Sequence, residues 1–261
     1  DAKTTQQVLG ALKKEPKAGT QVKTHGFSSI SMTLQSSSVS RLDLCRCRLG
    51  PGHASSLVDM IKNMPLLTSM SLLNNSFGEA VHDIIKVFEE TPRLRTLCGL
   101  EEGAEQIVWG SSNMGPSDIA LLSADVKAGR AAATVSSLSV ESATGDTGDR
   151  RTYTLTAGEE KIDLSQKNLG SADVALLAAW LQRPEVNAVV EELNLSQNPI
   201  GVDGAKALAA VLPGSSLKCL VIGPKSTRLP VNDAEVTELN FEGQDFAATE
   251  VTLVAAAVST M

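Results

Sequence analysis

Residues 160–177 read EKIDLSQKNLGSADVALL, and two other stretches can be laid beneath them column by column. Residues 105–122 give EQIVWGSSNMGPSDIALL, and residues 237–254 give TELNFEGQDFAATEVTLV. Ile162 then stands with Ile107 and Leu239, Leu164 with Trp109 and Phe241, and Leu169 with Met114 and Phe246. A match of this length predicts one structural unit used repeatedly, each copy burying its apolar side against the next. Two apolar residues two positions apart point to the same side of a strand, so Ile162 and Leu164 read as inward positions of a short strand. Leu169 re-enters the core after a bend.

Two further copies, RLDLCRCRLG at 41–50 and ELNLSQNPIG at 192–201, fit the pattern L-x-L-x-x-(N/C)-x-L through Leu42, Leu44, Cys47 and Leu49, and through Leu193, Leu195, Asn198 and Ile200. A weaker copy, SMSLLNNSFG at 69–78, places Met70, Leu72, Asn75 and Phe77 on the same positions. At the bend, a polar side chain can satisfy backbone groups of the neighbouring unit that are shielded from water. Asn75, Asn198 and Cys47 are therefore predicted to be buried and structural, while Ser112, Lys167 and Gln244 break the rule. Helical spacing follows each strand, as in Leu57, Met60, Ile61 and Met64, or Val81, Ile84, Ile85 and Phe88. Ser117-Asp118 and Ser171-Ala172-Asp173 look like helix starts, and Pro65, Pro92, Pro184 and Pro213 like stops. Further strands are expected within residues 29–34 and 94–100 and around Leu217, about ten in all. The Gly- and Thr-rich stretch 141–158 reads as an exposed loop or insertion.

Composition narrows the class of function. Aromatic residues make up only 3% of the chain, so the core must be built of Leu, Val, Ile and Ala, which suits thin layered architectures. A net charge of -7 argues against a nucleic-acid partner, which would need clustered Lys and Arg. No apolar run approaches the roughly 18 to 20 residues of a membrane span. Cys45, Cys47, Cys98 and Cys219 lack the spacing of a zinc site or a disulfide framework, which points to reduced thiols and a cytoplasmic location. His25, His53 and His82 belong to no metal or nucleophile motif. Asp146 and Asp149 lie in DTGD, which lacks the ligand run of a calcium loop. No catalytic residue, metal site or cofactor is predicted.

With strand, bend and helix in place, residues 28–261 resemble the ribonuclease-inhibitor-like class of leucine-rich-repeat proteins. The resemblance implies an α/β solenoid of irregular repeat length, with parallel strands on a concave face and helices on a convex one. It also implies a non-catalytic scaffold that binds a protein through the outward strand positions. Those positions include Arg41, Asp43, Lys161, Asp163, Glu192, Asn194, Glu238, Asn240 and Glu242. The last three strands carry Asp163, Glu192, Glu238 and Glu242 against Lys161 alone, so a partner with a basic surface is expected. The alternative is a regulator of a small GTPase or another enzyme, for which Arg46 and Arg48 are the candidate arginines. Residues 1–27, with Lys3, Lys13, Lys14, Lys17 and Lys23, read as a basic arm or cap containing a short helix near 4–14. At the other end VTLVAAAVST reads as an apolar helix without a polar cap, which calls for cover by another chain or by further repeats.

Overall fold

The computed structural model describes residues 39–110, 114–143 and 149–261. The predicted arm at 1–27, the strand at 29–34, Ser112 and Asp146 lie outside these residues. In chain order the elements begin with β1 (Arg41–Asp43), α1 (Ala54–Asn63), β2 (Ser69–Ser71), α2 (Val81–Glu89), β3 (Gln106–Trp109) and α3 (Pro116–Ala128). Then come β4 (Ser137–Glu141), β5 (Thr152–Thr156), β6 (Lys161–Asp163), α4 (Ser171–Leu181) and α5 (Pro184–Asn187). The chain closes with β7 (Glu192–Asn194), α6 (Gly201–Ala209), β8 (Cys219–Ile222), β9 (Thr227–Pro230) and α7 (Ala248–Val258).

Period-two patterning produces the strands. In the three-residue strands the middle residue is buried and its neighbours face out: Leu42, Met70, Ile162 and Leu193 all point into the core. Helix starts are set by carboxylates in the first turn rather than by the serines. Asp118 Oδ2 accepts the Gly115 N–H at 2.8 Å, and Asp173 Oδ2 accepts that of Gly170 at 2.9 Å. Each satisfies a backbone donor that the helix leaves open and places negative charge at the positive end of the dipole. Pro184 does not simply stop α4; it opens the short helix α5, where its missing N–H is no loss.

The helices pack side by side in chain order, α1 on α2, α2 on α3, α3 on α4, α4 on α6 and α6 on α7. Gly204 makes the α4–α6 approach possible. A Cβ at that position would lie 3.1 Å from Ser171 Cα and 3.2 Å from Val174 Cβ. The bends behave alike in two units. Asn75 Oδ1 accepts the Leu49 N–H at 2.9 Å while its amide donates to the carbonyls of Leu44 and Leu72. Asn198 accepts from Lys167 and Leu169 and donates to Leu164 and Leu195. One amide thus ties its own bend to the bend of the preceding unit in each case. Cys47 is buried, with its thiol 3.7 Å from the Cys45 carbonyl.

The expected leucine-rich-repeat solenoid with its continuous parallel sheet is not what forms. The strands fall into three separate sheets, β1-β2, β3-β4-β5 and β6-β7-β8-β9, in which parallel and antiparallel pairs are mixed. The physical cause is edge occupancy. β5 folds back antiparallel on β4, and β9 does the same on β8, so each takes the edge that a further parallel strand would need. Residues 141–158 are correspondingly not a simple loop, because β5 buries Tyr153 and Leu155. The strand expected at 238–242 is irregular chain, its place beside β8 being filled by β9. Between β2 and β3 the sheet is also broken: residues 94–98 touch β2 only through isolated bridges, Ser69 to Thr96 and Ser71 to Cys98. A concave parallel face and a convex helical face are therefore not features of this fold. Among the described residues no helix is long and apolar enough to cross a membrane.

Candidate binding face

The outward side of the four-stranded sheet gathers four of the nine predicted positions. Register places Lys161 beside Glu192 and Glu192 beside Cys219, while Asp163 faces Asn194 and Asn194 faces Val221. β9 adds Arg228 opposite Val221. The Arg228 guanidinium meets the Glu192 carboxylate as a fork, with Nη1 to Oε1 at 3.0 Å and Nη2 to Oε2 at 3.1 Å. Lys161 Nζ lies 3.4 Å from the same carboxylate. Hydrogen bonds from Arg228 hold the Glu192 carboxyl below its ordinary range, with the nearby Arg and Lys charges adding to the effect.

The acidic half-face expected from the sequence is not assembled. Glu192 is matched by two cations, and Glu238, Asn240 and Glu242 lie outside any sheet. Arg228 is the residue that sequence reading missed. Its stretch, CLVIGPKSTRLP, carries the Gly-Pro pair of a turn between two apolar runs, which is the available hairpin signal.

Four of the predicted positions have a local backbone task. Asp43 accepts the N–H of Cys45, Asp163 that of Ser165, Asn194 that of Ser196 and Asn240 that of Glu242, at 2.8 to 3.0 Å. Such Asx turns imitate a backbone turn, and at Asp43, Asp163 and Asn194 they end a strand. The Ser165 N–H is also the main reason the Asp163 carboxyl lies below its ordinary range. Arg41 and Asp43 sit apart from this face, on the two-stranded sheet. Arg46 and Arg48 adopt left-handed backbone with φ of 57° and 55°, as do Gln166 and Asn168, their equivalents in the matching unit, at 56° and 55°. Their conformation belongs to the bend.

Among the described residues three carboxylates are buried: Asp118 and Asp173, which the sequence marks as helix starts, and Asp125, which it does not mark. Asp118 receives the Asn74 N–H at 2.6 Å besides that of Gly115. Asp125 receives the Thr96 hydroxyl at 2.5 Å and the N–H groups of Leu97 and Cys98 at 2.8 and 3.0 Å. Asp173 receives Tyr153 Oη at 3.0 Å and the N–H groups of Ala143 and Gly170. Burial raises all three, Asp125 to about 6, against the opposing pull of these donors. Every one is occupied by backbone N–H groups, joined at Asp125 by a threonine hydroxyl and at Asp173 by a phenol, which is a structural assignment. Among the described residues no three His, Cys, Asp or Glu side chains come together as a metal site.

The helical side carries a groove of about 820 Å³ between α2 and α3, reaching α4. Its lining includes Val81, Ile85, Ala120, Ala124, Ala172 and Ala175, with His82, Glu89 and Lys127 among the polar groups. No protein-family profile matches the chain, and no curated protein matches it.

Proposed function

We propose that this chain is a non-catalytic protein-binding module whose recognition surface is the outward side of β6, β7, β8 and β9. The observation that carries this reading is the Lys161–Glu192–Arg228 array, in which Lys161 stands beside Glu192 in register and Arg228 reaches the same carboxylate diagonally from β9. A two-point Arg–carboxylate fork fixes its own geometry, so the face is ordered before a partner arrives, and less freedom is lost on binding. The mixed charge suits a protein surface that pairs with both signs, in place of the purely basic one suggested by the sequence. No disulfide joins Cys45, Cys47, Cys98 and Cys219, which supports work in the reducing cytoplasm.

The test is affinity capture with three forms of the chain: unchanged, the double variant Lys161→Glu/Arg228→Glu, and Lys206→Glu on exposed α6 as control. Proteins retained by the unchanged chain and by the control, but lost from the double variant, support the face. Identical capture by all three forms refutes it.

A further inference from the structure

We propose that the contact between α2 and α3 is a hinge, across which residues 39–100 swing against the remainder of the described chain and widen the groove between these helices. Three independent features of the contact lead to it.

First, no strand ladder crosses this point. β3 bonds to β4 and not to the segment 94–98, so the N–H groups of Leu97 and Cys98 have no strand to receive them. Asp125 of α3 takes both, and the Thr96 hydroxyl in addition. A single side chain stands where several residues of backbone would otherwise pair.

Second, among the described residues the bonds that span the contact all involve charged side chains. Asp118 holds the Asn74 N–H. Arg130 donates to the carbonyls of Phe88, Thr91 and Leu94 at 2.7 to 3.1 Å and stacks 4.5 Å over the Phe88 ring. Lys127 pairs with Glu89 at 2.9 Å. Water can replace such bonds at small net cost, whereas separating apolar surfaces costs about 25 cal/mol per Å². The α3–α4 and α4–α6 contacts differ, being more extensive.

Third, space is already present. The groove lies at this contact, floored by small side chains, Ala120, Ala124, Ala172 and Ala175. The apolar core nevertheless runs through from one side to the other. Motion is therefore a partial opening on the groove side and not a separation.

Opening returns the Asp125 carboxylate to water, which gives the hinge a pH dependence. Burial holds this carboxyl at about 6, and on hydration it falls back toward 3.8, so the closed form binds the proton more tightly. Raising the pH through 6 then favours opening. The Cys98 thiol, which faces Asp125, acts in the same direction, being raised by burial and by Asp125, and Asp118, elsewhere on α3, is raised by burial. Arg150 faces Asp118 and works against its rise. From α2, Glu89 is matched by Lys127 and His82 by Glu79. No Lys, Arg or His pairs with Asp125 among the described residues.

Amide hydrogen exchange on the full chain tests the hinge, comparing Leu97 and Cys98 with Leu195, whose N–H bonds Val221 across the β7–β8 ladder. After correction for intrinsic exchange rates, protection at Leu97 and Cys98 is expected to lie at least about tenfold below that of Leu195 at pH 7.5. It should rise about tenfold at pH 5 while Leu195 changes less. Asp125→Asn should flatten that response. Lys127→Glu sets two exposed carboxylates against each other at the groove mouth and should lower protection at Leu97 and Cys98 about threefold, leaving Leu195 unchanged. Should Asp125→Asn fail to fold, the unchanged chain and Lys127→Glu decide the matter. Equal protection at both places, or an equal loss at both in Lys127→Glu, overturns the hinge in favour of one cooperative unit.

Discussion

Arg228 of β9 grips Glu192 of β7 across the one intervening strand, β8, through two parallel N–H···O bonds of 3.0 and 3.1 Å. The contact exists because β9 turns back on β8 and brings a second cation to the carboxylate that Lys161 already approaches. Arg228→Ala should let the Glu192 carboxyl titrate closer to its ordinary value of 4.5, since the first cause of its depression is removed. Carbon-detected NMR titration of the Glu192 side chain reads this directly. Thermal stability should barely move, because exposed pairs of this kind contribute little to folding. A Glu192 titration that stays in place would remove Arg228 from its account.

Asn75 and Asn198 do the same work at different depth. Asn75 is 6% exposed and satisfies one N–H and two carbonyls of buried backbone, whereas Asn198 is only partly buried. Asn75→Ala should therefore cost about 3 kcal/mol and Asn198→Ala about 1 to 2 kcal/mol. Urea unfolding monitored by circular dichroism gives both values. An order in which Asn198→Ala is the more damaging would contradict the burial argument.

Acid should stabilise this protein before it denatures it. Asp125, at about 6 when folded and 3.8 otherwise, keeps its proton longer in the folded chain, as do Asp118 and Asp173 in direction. Folding then takes up protons between these values, so stability grows as the pH drops from 7 through 6. The gap at Asp125 alone corresponds to about 3 kcal/mol favouring the protonated form. Below this window Asp163 and Glu192, whose carboxyls are depressed, lose their support and stability falls again. The urea midpoint should pass through a maximum near the lower end of this window, at about pH 4, and Asp125→Asn should blunt the rise toward it. A midpoint that declines steadily from pH 7 to 4 would rule this out.

Gly204 sits where α6 leans on the first turn of α4. Gly204→Ala gains helix propensity but sets a Cβ 3.1 Å from backbone at Ser171, so the two effects oppose one another. Gly204→Val adds bulk that the contact cannot absorb and should destabilise by about 2 kcal/mol. Unfolding midpoints of the two variants, compared with the unchanged chain, separate propensity from clash.

Much of the local structure is legible in the chain. Leu42, Met70, Ile162 and Leu193 announce their burial by alternation, and Asn75 and Asn198 announce the bend. The candidate face was legible only in part. Lys161, Asp163, Glu192 and Asn194 come together as their strands pair, because equivalent positions in neighbouring parallel strands fall side by side. Glu238 and Glu242 have the same pattern and never join them. The two readings differ in nothing that a single strand encodes, since TELNF alternates as well as KIDLS does.

What the sequence determined by itself is which side of each short element turns inward, since apolar periodicity acts within a few residues. Only the tertiary structure decided which strands share a sheet. An edge accepts one neighbour, and the nearby β5 and β9 reach the edges of β4 and β8 through short connections before a more distant segment can. That competition between segments broke the expected continuous sheet, brought Arg228 to Glu192 and left Asp125 to satisfy the backbone at the break.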